Sequence, residues 1–398
     1  MAHTKPKPAF FAAVALVVLA LVGFAVYRFA GGSSDAPTAP KPGEPGGKAT
    51  ATPGRAPVTI AFEYSTEKKE WLEAAVAAFE KENPAIHVEL IGKGSLEAAQ
   101  AILEGTDHPV LWSPADSLVA NLLASDYKTK TNTALYATTP EPLVLSPLAF
   151  VVWEDRAKAL GGETNTQLSW KTIHKAVVSP KGWPGIGGKP SWGFVKLGHT
   201  DPNRSNSGLE AIVLMAFEYF GTPTLTVDQL LDAGFQDFVK QLDASVPQFE
   251  ASTGTLMTDM IRFGPSKYDI AVVYESLAIS QLENAQGRWG SLHVYYPPVT
   301  VWSDHPIVLI DDPKHTAEQR DAAKRLIGFL RSARVQGSAL RFGFRPADPS
   351  VPMKNAETNP FEKMAPYGVM LDLPAAARPP DGPVVRNLLM MWSRIVKK

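Results

Sequence analysis

Strand-like and helix-like segments alternate from residue 58 to residue 113. Val58 to Phe62 is a short β-branched run, and Ile86 to Ile91 alternates apolar and polar side chains as a strand does. Apolar residues at helical spacing follow each run, and Val110 to Trp112 is a brief third strand. This β-α-β-α-β order predicts a parallel sheet with right-handed crossovers, whose ligand would lie beyond the carboxyl ends of the strands. The sequence therefore predicts an α/β fold.

Polar turns stand where the predicted strands lead into helices. Ser65 and Thr66 follow the first strand, and Gly94 and Ser95 follow the second. Each turn alone is typical of an ordinary helix N-cap. Because the turns would meet at one edge of the sheet, we expect their hydroxyl and N–H groups to contact a ligand there.

A third polar turn precedes the most apolar helix of the chain. Ser207 to Glu210 has the Ser-x-x-Glu pattern of a capping box, so this helix is predicted to begin at Ser207. Ser205 and Asn206 lie in the same turn. A helix N-terminus offers unsatisfied donors and about half a positive charge, which suits an oxyanion or a carboxylate. The alternative interpretation is an ordinary capped core helix.

Two apolar crossings divide the body of the chain into two lobes. Residues 142–153 form a continuous apolar run typical of a long buried strand, and residues 292–310 provide the return. We assign residues 58–142 plus 300–398 to lobe 1 and residues 143–299 to lobe 2, with a hinge between them.

A buried strand of lobe 2 is predicted to end in Tyr274 and Glu275. Both side chains are candidates for contact with a ligand in the cleft between the lobes. The alternative is that Tyr274 is a half-buried strand residue whose hydroxyl is satisfied locally.

The N-terminus predicts a membrane anchor. Lys5 and Lys7 precede an unbroken apolar run from residue 9 to residue 27, about the length that a bilayer core requires. The lysines place the N-terminus in the cytoplasm and the body outside it. A cleaved signal peptide is the alternative, although no clean Ala-x-Ala site follows the run. We assign residues 1–30 to the anchor and residues 31–57 to a disordered linker rich in Pro and Gly.

Composition and motif spacing argue against several function classes. The net charge is −1, with 39 basic and 40 acidic residues, so we expect no nucleic-acid partner. The absence of cysteine excludes thiol catalysis and disulfides. The 8 histidines show no spacing that would place two on one metal, and neither a nucleophile elbow nor a phosphate loop is present. We therefore expect no enzyme, no catalytic residues, no metal and no cofactor.

The order of these pieces resembles the type II periplasmic solute-binding proteins of ABC transporters, and is most similar to the branch that binds sulfate, molybdate and related oxyanions. The resemblance covers residues 58 to about 348. It departs from the family at the membrane anchor, at residues 161–192 and in the tail after Pro349. The pieces that carry it are Ser65-Thr66, Gly94 to Ile102, Ser113-Pro114-Ala115-Asp116, Asp201 to Gly208, Asp269 to Glu275 and Gly343-Phe344-Arg345-Pro346.

The resemblance implies two lobes, each a mainly parallel sheet flanked by helices, preceded here by one transmembrane helix. It implies a monomer, anchored in the cell membrane with its body in the periplasm or outside the cell, that captures a small solute, an oxyanion or carboxylate, for ABC-type transport or sensing. An ABC permease or another inner-membrane protein would be its partner. A ligand-free structural protein of the envelope on the same fold is the alternative, and a hydrolase or transferase a further one. The ligand-binding residues predicted in this way are Ser65, Thr66, Gly94, Ser95, Ser205, Asn206, Ser207, Tyr274 and Glu275.

We predict that residues 9–27 stay attached and hold the body outside the cytoplasmic membrane. The apolar run is long enough to span the bilayer, and its lysine flank fixes the orientation. Cell fractionation followed by N-terminal sequencing of the mature protein is the measurement. A mature chain that begins after residue 27 and is released by washing would contradict the prediction.

Overall fold

The structure is a computed structural model that describes residues 57–161, 168–285, 287–354, 359–373 and 376–396. Within these ranges no helix combines the length and the apolar character needed to cross a membrane. The anchor and almost all of the linker predicted above lie outside the described residues. Residues 55–398 form one compact unit.

The strands of the described residues are numbered in chain order. The three predicted between residues 58 and 113 are confirmed as the first three. The strands are β1 (Val58–Tyr64), β2 (Ile86–Gly92), β3 (Leu111–Ser113), β4 (Val144–Trp153), β5 (Leu197–Gly198), β6 (Ile270–Tyr274), β7 (Leu292–Tyr295), β8 (Thr300–Ser303), β9 (Val308–Leu309), β10 (Arg345–Pro346) and β11 (Ala376–Ala377).

The helices of the described residues are numbered in the same way, and a 3₁₀ turn, Thr66–Lys68, directly follows β1. The α-helices are α1 (Lys69–Glu82), α2 (Ser95–Glu104), α3 (Ser117–Thr131), α4 (Glu154–Ala159), α5 (Trp170–Val177), α6 (Asn206–Phe220), α7 (Ala233–Asp243), α8 (Thr253–Phe263), α9 (Glu275–Ala285), α10 (Ala317–Leu330), α11 (Ala333–Ala339), α12 (Pro360–Lys363) and α13 (Gly382–Ile395).

The first sheet has the strand order β2-β1-β3-β9. β1 runs parallel to β2 and to β3, as predicted, and β9 closes the edge in the antiparallel direction. Helices α1 and α10 pack on this sheet because their apolar faces, which include Trp71, Phe79 and Leu326, are buried against Ile60 and Phe62. In register, Tyr64 pairs with Gly92 and with Ser113, so the three parallel strands end at one edge.

The second sheet is mixed, and the prediction of a mainly parallel sheet is wrong for it. Its order is β11-β8-β4-β6-β5, with β7 and β10 also paired to β4. β4 is antiparallel to β6, β7, β8 and β10, and the parallel pairs are β5 with β6 and β8 with β11. The buried apolar run of β4 predicted a central strand correctly, but an apolar run does not encode the direction of its neighbours.

Residues 300–398 do not all lie with the first sheet. β9 and α10 do, whereas β8, β10 and β11 hydrogen-bond into the second sheet, and α13 packs against α6 and α7. This is possible because β4 is ten residues long, so that its first half pairs with β8 and β10 while its second half pairs with β6 and β7. The boundaries of the two lobes otherwise stay a prediction.

Helix α6 begins one residue earlier than predicted, and its predicted capping box is wrong. Ser205 is the N-cap residue, and its side chain makes no capping hydrogen bond. The Ser207 hydroxyl instead lies 2.8 Å from Thr200 Oγ1 and 2.7 Å from Thr253 Oγ1. The Ser207 hydroxyl, which the sequence pattern assigned to the helix terminus, therefore contacts two other segments of the chain instead.

Helix α10 begins at a capping box formed by Thr316 and Gln319. Thr316 Oγ1 accepts from Gln319 N at 3.2 Å, and Gln319 Oε1 accepts from Thr316 N at 3.0 Å, which is a complete capping box. Gln319 Nε2 also donates to Thr59 O of β1 at 3.0 Å. The cap thus fixes both the start of α10 and its position on the first sheet.

We predict that Thr316→Ala lowers the free energy of unfolding by about 1 kcal/mol, because Gln319 N–H at the start of α10 loses its side-chain acceptor. The matched control is Thr129→Ala on the exposed face of α3, which should change this free energy by less than about 0.5 kcal/mol. Urea unfolding of the full chain is the measurement. Equal midpoints for the two variants would contradict the prediction.

Candidate functional site

The carboxyl edge of the first sheet carries a buried lysine. Lys68, in the 3₁₀ turn after β1, has a fully buried side chain. Its Nζ donates to Pro114 O at 3.1 Å and to Ser65 Oγ, and lies 3.6 Å from Glu67 Oε1. Ser65 N donates to Ser113 O at 3.0 Å. The turns after β1 and β3 are therefore joined around one ammonium group.

Glu67 and His305 complete the charges at this edge. His305 Nδ1 lies 3.1 Å from Glu67 Oε1 and 3.3 Å from Lys68 Nζ. Burial alone would raise the pKa of Glu67, but Lys68 and His305 outweigh burial and lower it to about 2. Burial lowers the pKa of Lys68 to about 8 although Glu67 opposes the shift. Burial and then Lys68 lower the pKa of His305, so its ring is neutral at pH 7.

His305 has an unusual backbone. It lies between β8 and β9 with φ of +39°, and its N–H donates to Ala115 O at 3.0 Å. A non-glycine residue in this region costs on the order of 1 to 3 kcal/mol, and such residues cluster at binding and active sites. Its imidazole is held between the rings of Tyr274 and Phe344, with centroids at 5.4 Å and 5.3 Å.

The start of α6 faces the same region from the second sheet. Asn206 Nδ2 donates to Glu210 Oε1 at 2.8 Å and to the Tyr274 hydroxyl at 3.0 Å. The Ser303 hydroxyl, at the end of β8, also donates to Glu210 Oε1. Asn206 and Glu210 stand one helical turn apart, so both side chains project from one face of α6.

Two buried carboxyl groups meet here without a basic partner. Burial, and then the charge of Asp304, raise the pKa of Asp116 well above its usual value. Burial, and then the charge of Asp116, raise the pKa of Glu210 in the same way. Asp116 also caps α3 by accepting from Leu118 N at 2.5 Å. The charge of Asp116 is the second cause of the shift at Glu210, so a carboxyl group of the first sheet acts electrostatically on one of the second.

These residues form one contiguous group, which we call the interlobe cluster. All of them are buried, and their contacts run from the carboxyl edge of the first sheet to the second sheet. The interlobe cluster comprises Ser65, Glu67, Lys68, Ser113, Asp116, Asn206, Glu210, Tyr274, Ser303 and His305.

Several polar atoms of the interlobe cluster have no hydrogen-bond partner among the described residues. They are Ser113 Oγ, Asn206 Oδ1, Glu210 Oε2 and His305 Nε2. Buried polar groups in proteins are nearly always hydrogen-bonded, because an unpaired one costs about 1 to 3 kcal/mol. Four such atoms in one cluster are the property expected of a site whose remaining partners come from a ligand or from bound water.

A comparison with known protein families identifies one that matches this chain. The model of one family, described as "Bacterial extracellular solute-binding protein", matches residues 62–345, which is more than half of the chain. The chain belongs to this family. Solute-binding proteins of this kind are the substrate-binding, non-catalytic components of ABC transporters, and their bodies are extracytoplasmic. A search of curated protein sequences returns no match to the chain.

Solved structures show the two-lobed fold of this solute-binding protein. The periplasmic thiamin binding protein is similar at 11% identity with a TM-score of 0.61, covering 86% of this chain and 97% of its own. AfuA from Actinobacillus pleuropneumoniae, with fructose-6-phosphate bound, has 16% identity and a TM-score of 0.55, covering 85% and 98%. The sulfate-binding protein SubI from Mycobacterium tuberculosis H37Rv has 15% identity and a TM-score of 0.53, covering 83% and 95%. At these identities the likeness shows the fold alone.

The structure brings Ser65, Asn206 and Tyr274 of the predicted site together in the interlobe cluster. The predicted site at the start of α2 is occupied by the chain itself. Leu96 N and Glu97 N both donate to Arg204 O at 3.1 Å, and Ser95 Oγ accepts from Ala115 N at 3.0 Å. A Cβ on Gly94 would lie 2.6 Å from Arg204 O, so only glycine allows this approach.

The other predicted residues also have partners within the chain. Thr66 Oγ1 accepts from Gly254 N at 3.3 Å, and Ser205 Oγ lies 3.3 Å from Ser207 Oγ. Glu275 is fully buried and forms a two-pronged ion pair with Arg345, at 2.7 Å and 2.8 Å. Its Oε1 also accepts from the Tyr296 hydroxyl. This ion pair fixes β10 to the start of α9, a structural function for which Glu275 needs no ligand.

None of the charged residues of the interlobe cluster was among the ligand-binding residues predicted from the sequence. Glu67 and Lys68 directly follow the predicted Ser65-Thr66 turn, and Asp116 closes the quoted Ser113 to Asp116 segment. Two more residues after Thr66, and the last residue of the Ser113 to Asp116 segment, would have added all three to the predicted site. Glu210, Ser303 and His305 gave no comparable signal, because their position depends on how the two sheets meet.

We predict that the ionisation of Glu67 makes the free energy of unfolding depend on pH in the acidic range. Its pKa of about 2 in the folded protein lies below its usual value of 4.5. The stabilisation of the folded state by ionised Glu67 is therefore fully present above pH 4.5 and is lost as the pH falls toward 2. It amounts to about 3 kcal/mol of unfolding free energy in total. The measurement is the unfolding free energy between pH 6 and pH 2 for the wild type and Glu67→Gln. The unfolding free energy of Glu67→Gln should fall less steeply between pH 4.5 and pH 2 than that of the wild type. Parallel curves of unfolding free energy against pH would contradict the assignment.

Proposed function

We propose that the protein captures a small solute between its two lobes at the interlobe cluster and delivers it to an ABC-type permease. The observation that supports this most directly is the set of four buried polar atoms without partners, drawn from both sheets. A scaffold without a ligand has no use for such atoms, because each of them weakens the folded state. Sensing through another inner-membrane partner would use the same capture step.

The predicted membrane anchor is part of this proposal. Residues 9–27 would hold the monomeric body near the membrane, at the outer face where a permease receives its substrate. The support is the sequence alone: the apolar run, its lysine flank and the linker of residues 31–57. A tether of this kind raises the local concentration of the body around its partner.

Among the residues predicted from the sequence, we propose Ser65, Asn206 and Tyr274 as the ones that line the ligand site. To them we add Ser113, Glu210 and His305, which carry the remaining partnerless atoms of the cluster. Thr66, Gly94, Ser95, Ser205 and Ser207 support the site from behind, because their hydroxyl or backbone contacts hold the surrounding turns together.

An oxyanion or carboxylate is one candidate for the solute. The positive charge of Lys68 favours it through the local field, with Glu67 at 3.6 Å offsetting part of that charge. The structural relatives are named for sulfate, a sugar phosphate and thiamin, so the fold itself accommodates solutes of different charge.

We predict that Ser113→Ala weakens solute binding by about tenfold while leaving the free protein as stable as before or slightly more stable. The hydroxyl has no partner among the described residues, so its removal breaks no hydrogen bond within them. A panel of inorganic anions, small carboxylates, sugars and amines is screened by thermal shift on the full-length chain. Calorimetry then gives the affinity of the probe that binds.

The matched control is Ser169→Ala. Ser169 Oγ caps α5 by accepting from Thr172 N at 3.2 Å, away from the interlobe cluster. This variant should lose about 1 kcal/mol of stability and keep the wild-type affinity. If Ser113→Ala behaves like the control, the site lies elsewhere.

A further inference from the structure

The interlobe cluster contains more acid than base. Glu67, Asp116 and Glu210 stand against Lys68 as the single basic side chain, since the ring of His305 is neutral. Glu67 and Lys68 lie 3.6 Å apart and offset each other. No ion pair among the described residues includes Asp116 or Glu210, although both are at least 97% buried. The excess is thus two carboxyl groups without a counter-charge.

The partnerless atoms nearest these carboxyl groups are acceptors. Glu210 Oε1 already receives hydrogen bonds from Asn206 and Ser303, which leaves Oε2 without a donor. Asn206 uses its Nδ2 for Glu210 and Tyr274, which leaves its Oδ1 without a donor. In the reverse orientation the amide oxygen would face Glu210 Oε1, so the contact with this carboxyl group favours the orientation described here.

His305 contributes a further partnerless atom, Nε2. Its Nδ1 lies 3.1 Å from Glu67 Oε1, an acceptor, and 3.3 Å from Lys68 Nζ, a donor, so Nε2 can serve either as a donor or as an acceptor. Glu210 Oε2 and Asn206 Oδ1 are the two atoms that call for hydrogen-bond donors, and an ionised oxyanion offers none.

We infer that the solute carries a positively charged nitrogen group that donates hydrogen bonds, and that Glu210 and Asp116 are its counter-charges. This inference rests on the proposed function, because it concerns the same site. An ammonium or amidinium group satisfies Glu210 Oε2 and Asn206 Oδ1 and neutralises the acidic excess in one step. A small anion would instead oppose the ionisation of the two buried carboxyl groups, whose pKa values are already raised by burial and by neighbouring acidic groups, whereas a cation favours their charged form.

The donor set points to an organic cation rather than a metal ion. Among the described residues there is no group of three or more His, Asp or Glu side chains arranged to hold a metal. Asn206 and Glu210 are tied to neutral donors, so their remaining lone pairs suit N–H groups that need one acceptor each.

The test is calorimetry on the full-length chain with three classes of probe: arginine, putrescine and spermidine as cations that carry N–H groups; sulfate, phosphate and citrate as anions; and glucose as a neutral polyol. We expect a cation to bind. Glu210→Gln keeps the shape of the side chain and should weaken that cation by about tenfold or more. Asp116→Asn should weaken it as well, and because asparagine is an equally good N-cap, α3 keeps its start.

The two variants also serve each other as controls for folding. If Glu210→Gln unfolds, the cation affinity of Asp116→Asn still decides the question, and thermal unfolding of both identifies this case. Ser169→Ala again provides the variant with unchanged affinity.

The outcomes separate the inference from the proposed function. An anion or glucose that binds, loses affinity with Ser113→Ala and gains or keeps affinity with Glu210→Gln overturns the inference and leaves the proposed function standing. A probe of any class whose affinity is indifferent to Ser113→Ala, Glu210→Gln and Asp116→Asn overturns the site itself. Absence of binding by every probe overturns both.

Discussion

The buried ammonium group of Lys68 is the interaction on which the centre of the molecule depends. It binds the carbonyl of Pro114 and the hydroxyl of Ser65, and it faces Glu67 and His305, so one charge joins the turn after β1, the turn after β3 and the connection into β9. Removing a charge from water is costly and is offset only when partners surround it completely. The three segments are therefore held in a single arrangement, and the edge of the first sheet presents a fixed set of groups to the second.

Much of the first sheet follows from local pattern. The β-branched run of β1, the alternation in β2 and the capping box of α10 each act through near neighbours in sequence, so the residues themselves specify the element. The second sheet does not follow in this way. The direction of β6, β7 and β8 relative to β4 is decided by the path of the intervening chain, and a fully apolar strand is compatible with either direction.

The same limit applies to the candidate site. Ser65, Asn206 and Tyr274 could be predicted because each lies at a strand end or a helix start, positions that the local sequence pattern locates. Ser205 and Ser207 lie in the same turn and also carry hydroxyl groups, but the Ser207 hydroxyl is hydrogen-bonded to those of Thr200 and Thr253. The approach of Asp116 to Glu210 joins residues ninety-four positions apart in sequence, across two sheets. No sequence motif links residues at that separation, so the charge distribution of the site can be described only from the three-dimensional structure.

The contact between Arg204 and the start of α2 has a consequence for motion. The Arg204 carbonyl accepts from two N–H groups of α2, and the hydrogen atoms of Gly94 are the only side group small enough for this approach. α2 connects strands of the first sheet, whereas Arg204 leads into α6 on the second. Movement of α2 away from the start of α6 would break both hydrogen bonds and expose the helix start to water. The Arg204 carbonyl thus occupies donors at the start of α2 that would otherwise be open to an anion.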